Sequence, residues 1–135
     1  MPRAVIDTNV LVFDTFEDAP RHEEASQLLD SLDVWVLPLI VVYEYVWFLK
    51  GLSIDAGVAR RKVLEYVRGE RSRVLSEGVE EVAWALEAVV EEGLSLARFN
   101  DKVVLAVAAK MGLPLATFDE GLRRQARRIG VETMP

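Results

Sequence analysis

Short apolar runs alternate along this chain with longer segments of helical period, and that alternation restricts the possible folds more than any other feature. Residues 4–6 (Ala4, Val5, Ile6), 34–37 and 115–118 read as strands covered on both faces, with further candidates at 73–75 and 131–133. Helical spacing is seen over 10–13, 21–32, 38–50, 53–68, 76–92, 96–111 and 121–129. The ends of these segments carry matching punctuation. Pro38 suits a first turn and Ser53 an N-cap, while Gly51, Gly69, Gly93 and Gly112 stop the helices before them. Residues 14–20 are acidic, end in Pro20 and read as a loop. Short strands separated by helices of about ten or more residues specify an α/β fold with a parallel sheet. A chain of 135 residues without repeat, low-complexity tract or linker predicts one domain, residues 1–135.

Composition removes several kinds of chemistry. Hydrophobic residues at 51% and charged residues at 28% are ordinary for a folded protein. The absence of cysteine excludes a disulfide scaffold, a thiol nucleophile and a thiolate zinc site. One histidine, His22, rules out a multi-histidine metal site, and its place on the polar side of a helix start makes it a surface residue. The weakly charged stretch 34–49 contains Pro38 and Glu44 and falls short of the ~20 apolar residues of a membrane span. It reads as a strand followed by a buried helix in a cytoplasmic protein without a membrane anchor. The net charge of −6 speaks against unspecific nucleic-acid binding, unless several of the acids are gathered in one site.

Four acids contradict their local pattern. Asp7 follows directly on an apolar strand, at the end where ligands bind in open α/β sheets. Asp119 repeats that arrangement after Ala116, Thr117 and Phe118. Glu44 is the only charged residue between Val34 and Leu49, in a helix apolar nearly all round. A carboxylate buried there must be protonated, paired or bound to a metal. Asp101 lies in the first turn of a helix, on one stripe with Val104, Ala108 and Met111. Each has a plainer reading: helix caps for Asp7, Asp119 and Asn100 or Asp101, and an arginine ion pair for Glu44. Together they fit one edge of a parallel sheet. Carboxylates so gathered need cations, and oxygen ligands favour Mg²⁺ or Mn²⁺ in a site suited to phosphodiester hydrolysis. The chain's two asparagines, Asn9 and Asn100, flank candidate acids, and Thr117 stands beside Asp119. They fit a supporting shell, and they fit turns and caps equally well.

The run Val5-Ile6-Asp7-Thr8-Asn9-Val10-Leu11, the lone Glu44, Asn100-Asp101 at a helix start and Thr117-Phe118-Asp119 before a last helix resemble, in order, a PIN-domain nuclease. The resemblance covers nearly the whole chain. It implies a three-layer α/β/α fold on a five-stranded parallel sheet, and Mg²⁺- or Mn²⁺-dependent cleavage of RNA. It makes Asp7, Glu44, Asp101 and Asp119 the catalytic, metal-ligating acids, with Asn9, Asn100 and Thr117 in support. It also implies a VapC-type toxin of a toxin–antitoxin pair, a homodimer silenced by a small antitoxin partner. An RNA-processing enzyme and a silent RNA- or protein-binding module of the same family are the alternatives. An aspartyl phosphatase of the haloacid dehalogenase kind would have a second aspartate where this chain has Asn9.

RNA must meet positive charge somewhere. Arg60, Arg61, Lys62 and Arg68 lie on one helix, and Arg123, Arg124, Arg127 and Arg128 on the last. The plainer reading of each is a solvated helix face. Arg123, Arg124 and Arg127 follow the Asp119 strand end and have the better claim to phosphate contact. The aromatic residues around Glu44 are expected to serve as core or as an interface between copies.

Overall fold

A computed structural model describes residues 1–135. Five parallel strands, β1 (Arg3–Ile6), β2 (Val34–Pro38), β3 (Ser72–Leu75), β4 (Leu115–Ala116) and β5 (Thr133–Met134), stand in the order β3-β2-β1-β4-β5. Seven α-helices connect and cover them: α1 (Thr8–Thr15), α2 (His22–Asp30), α3 (Leu39–Gly51), α4 (Ala56–Val67), α5 (Val79–Glu91), α6 (Phe99–Met111) and α7 (Glu120–Arg128). The result is a three-layer α/β/α fold. No helix is long and apolar enough to cross a membrane.

Strand order follows from burial. Ala4, Val5 and Ile6 of β1 are fully buried, as are both residues of β4, so these apolar runs occupy the middle of the sheet. The chain walks from β1 outward to β3, then crosses back to place β4 on the other side of β1. The direction of winding therefore reverses between β1 and β4. That is where an open α/β sheet leaves a crevice at the carboxyl ends of its strands.

Helix ends differ in detail from the sequence reading. Asp7 caps α1, whose first residue is Thr8, so the helix is longer than the segment 10–13. Asp55, not Ser53, caps α4: its carboxylate accepts from the Gly57 and Val58 amides, while Ser53 takes a left-handed turn at φ 58°. Pro38 closes β2 and leaves α3 without a side-chain cap of its own. Glu77, from the loop after β3, supplies the acceptor instead, 2.8 Å from the Ile40 amide. The segment 96–111 is two pieces, a 3₁₀ turn at Leu96–Arg98 capped by Ser95 and then α6. Asn100 and Asp101 thus lie inside the first turn of α6 and do not cap it.

α3, expected to be a buried helix, and α5 both leave apolar residues outside. Only Val41, Tyr45 and Leu49 of α3 are buried, while Tyr43, Val46, Trp47 and Phe48 face outward. On α5 the buried residues are Glu81, Ala85 and Val89, leaving Val79, Val82, Leu86 and Val90 exposed. α6 is the opposite case. Residues 102 to 108 are all buried, because it packs against α5, α3 and β1 at once. Lys102 is part of that run. Its ammonium is 2.6 Å from Glu92, whose other oxygen meets Arg128 at 3.3 Å. A charge buried so deeply costs several kcal/mol unless paired, and this pair ties α6 to the end of α5.

Candidate active site

The crevice between β1 and β4 is built by residues that finish one element and begin the next. Asp7 ends β1 and starts α1. Its Oδ1 accepts from the Thr8 amide at 2.8 Å, and its Oδ2 accepts from the Thr117 hydroxyl at 2.7 Å and from Asn9 Nδ2 at 3.2 Å. Asp119 has the same position after β4, its Oδ1 accepting from the Leu122 amide at 3.0 Å. Thr117, fully buried, joins the two. Its oxygen also accepts from the Asp119 amide at 3.1 Å and from Asn9 at 3.3 Å. Asn9 completes the bridge by accepting from the Phe118 amide at 3.1 Å. Both aspartates therefore cap helices, and the same geometry places them beside one crevice.

Glu44 and Asp101 come from α3 and α6. One turn of α3 below its start, Glu44 reaches the crevice, where Oε1 accepts from the Thr8 hydroxyl at 2.6 Å and Oε2 from Asn100 Nδ2 at 3.1 Å. Asp101 projects from the first turn of α6 toward the same space. Like charges and burial leave their mark on two of these groups. Burial in the first place, with Asp101 and Glu44 adding to it against the hydrogen bonds of Thr117 and Thr8, pushes the Asp7 carboxyl up to about 7. Asp101 is also raised, chiefly by burial, although Arg98 opposes the rise. As the side chains stand, no three acidic groups are clustered tightly enough to hold one ion. Glu44 is bonded on both oxygens, and Asp101 is turned to Arg98. The donors are nevertheless all carboxylate oxygens, the set a hard divalent cation takes.

The family model described as PIN domain matches residues 4–128. This chain belongs to the PIN domain family. Three solved structures resemble it in fold over almost their whole length. VapC20 of Mycobacterium tuberculosis, described as a sarcin-ricin loop cleaving toxin, has a TM-score of 0.80 at 21% identity, over 98% of this chain and 99% of that one. VapBC-1 of Haemophilus influenzae has 0.68 at 19%, over 98% and 96%. A toxin–antitoxin complex from Klebsiella pneumoniae has 0.64 at 20%, over 89% of each chain. A search of curated protein sequences returns no match.

Two residues of this PIN domain that its sequence does not single out stand in the crevice. Thr8 positions Glu44, and an unremarkable threonine after an acid gave no sign of it. Arg98 is the other. Its Nη1 is 3.1 Å from Asp101 and 3.8 Å from Asp119, the only ion pairs made by the four acids. Its spacing of three from Asp101 at a helix start was the available signal. His22 is half-buried, its Nδ1 2.9 Å from the Phe13 carbonyl, which ties α2 to α1. On α7, Arg124 and Arg127 are exposed, whereas Arg123 is mostly covered, donates to the Pro135 carbonyl at 3.2 Å and stands 3.6 Å from Glu120.

Thr117→Val is expected to lower stability by about 1–3 kcal/mol, because an isosteric methyl leaves the Asp119 amide without its acceptor and Asp7 Oδ2 with Asn9 as its one donor. Urea unfolding checks this: the midpoint falls in the valine variant and stays near that of the parent in Thr117→Ser, which keeps the hydroxyl.

Proposed function

We propose that this PIN domain is a divalent-metal-dependent endoribonuclease and the toxin of a toxin–antitoxin pair. The observation that carries the reading is the meeting of Asp7, Glu44, Asp101 and Asp119 around the switch point of the sheet, with one arginine as their only paired cation. Four carboxylates in mutual repulsion fit a cation better than any neutral ligand. Bound there, Mg²⁺ or Mn²⁺ would supply an activated water and neutralise charge on the phosphate under attack. The chain's own residues set the stage. Thr117 and Asn9 fix which oxygen of Asp7 faces the crevice, and Thr8 and Asn100 do the same for Glu44. Asp7 must give up its proton to serve as a ligand. Arg124 and Arg127 of α7 are exposed and so freer than Arg123 to meet phosphates.

The toxin reading is supported by the kind of proteins that share the fold, a sarcin-ricin loop cleaving toxin and a toxin–antitoxin complex among them. An antitoxin partner and a cytoplasmic place of action follow from it. A homodimer is supported by the outward apolar residues of α3 and α5, where Trp47 is 63% and Val90 78% exposed. Sedimentation velocity at micromolar concentration is expected to show a dimer that Trp47→Glu weakens at least tenfold. A monomeric parent protein would count against this interface.

The deciding experiment is incubation of purified protein with a mixed RNA pool and Mn²⁺ or Mg²⁺, beside EDTA. Metal-dependent cleavage supports the proposal. Absence of both cleavage and metal binding would leave a silent binding module.

A further inference from the structure

Three covered charges away from the crevice have partners that serve only the fold. Lys102 has Glu92, Glu81 has Lys110, and Asp14 accepts from Tyr66 and Ser26. Arg98 differs from all of them. It is paired with two acids that the proposed reaction needs for something else.

The placement of Arg98 is built into the chain. The 3₁₀ turn Leu96–Arg98, capped by the Ser95 hydroxyl, aims the side chain back along the start of α6. The guanidinium lies over the first turn of α7. There Gly121 leaves it room, since a Cβ at that position would stand 3.3 Å from Nη2 and 3.2 Å from the Asp119 carboxylate. Arg98 is also 42% exposed, against 23% for Asp101 and 35% for Asp119. It is the most exposed of the three groups and so the one with solvent to move into.

We propose that Arg98 is an exchangeable counter-ion and phosphate-binding residue: its guanidinium holds Asp101 and Asp119 until a divalent ion takes them, then meets the RNA phosphate. This rests on the ribonuclease reading of the site. A guanidinium and a divalent ion draw on the same carboxylate oxygens, so each lowers the affinity of the other. Once the ion neutralises Asp101 and Asp119, the arginine loses its partners but remains at the mouth of an otherwise acidic crevice. A phosphodiester arriving there is the next anion within its reach, and a guanidinium offers it two parallel donors.

The test begins without RNA. Mn²⁺ is titrated calorimetrically into the parent protein, Arg98→Ala and Arg98→Gln. Both variants are expected to bind Mn²⁺ roughly three- to tenfold more tightly, the range for loss of a partly exposed competing ion pair. A merely structural arginine would give the opposite sign. A labelled single-stranded oligoribonucleotide of mixed sequence is then bound in saturating Ca²⁺. Its affinity is expected to fall at least about threefold in both variants and to recover only in part in Arg98→Lys, which restores the charge without the paired donors. Unchanged or weaker Mn²⁺ binding overturns the proposal, and so does unchanged RNA affinity. If the parent protein itself binds no Mn²⁺, the metal-site reading falls and takes this one with it. If the parent binds and the variants gain nothing, only the role of Arg98 is lost.

Discussion

Asp101→Asn is expected to reduce metal-dependent RNA cleavage by at least about a hundredfold while leaving the fold intact. The amide has nearly the shape of the carboxylate, and Asp101 makes no bond to a backbone amide that α6 depends on. Its one partner, Arg98, is free to turn to Asp119, 3.8 Å away. What the substitution removes is a negative donor at the point where α6 meets the crevice. The checks are initial cleavage rates with Mn²⁺ and a thermal melt of each protein. A melt like that of the parent with cleavage lost supports the assignment. Cleavage at the parental rate would remove Asp101 from the site.

The second large effect is on stability and has a definite sign. With its carboxyl raised from 3.8 to about 7, Asp7 keeps its proton in the folded protein where the unfolded chain has already lost it. The folded state therefore binds more protons between those values. The stability of the metal-free protein falls as pH rises through that window and levels off above about 7. Asp101, raised as well, adds to the same slope. For Asp7 alone the full window amounts to about 4 kcal/mol, at 1.36 kcal/mol per pKa unit. Asp7→Asn keeps an oxygen for the Thr8 amide and carries no charge. In EDTA at pH 8 it is expected to melt roughly 10–15 °C above the parent, with the difference vanishing near pH 4. Calorimetry from pH 4 to 8 checks this. An equal pH slope in both proteins would show that Asp7 is not the strained group. Added Mn²⁺ is expected to raise the melting point of the parent and not that of the variant.

Much of this was legible because the decisive residues break a local rule. An acid directly after Val5-Ile6, and another after Thr117-Phe118, is visible without any structure, and parallel α/β topology brings such ends together. The harder features involve choices that sequence leaves even. An apolar helix looks the same whether neighbours of its own chain or a second molecule cover it, so the outward turn of Trp47 and Phe48 could not be read. Ser53 and Asp55 are both competent caps, and only the left-handed turn at Ser53 decides between them. β4 is only Leu115–Ala116, although the Thr117 amide still donates to the Met134 carbonyl of β5 at 3.0 Å; the hydroxyl of Thr117 serves Asp7 and Asp119, a use that the apolar run does not announce. Arg98 is not singled out by the sequence, because its second acid, Asp119, is distant along the chain.

Asp7 and Asp119 each divide their two oxygens: Oδ1 holds the first turn of a helix, while Oδ2 is turned to Thr117 and Asn9 in Asp7 and to Arg98 in Asp119. Heredity is constrained by that division. A lineage drifting away from catalysis cannot discard these aspartates for alanine without also loosening α1 and α7, at about 1 kcal/mol for each lost cap. Asparagine or serine would release the chemistry and retain the helix. Relatives that have become inert should therefore carry those two residues at both positions, a signature that sequencing alone can read.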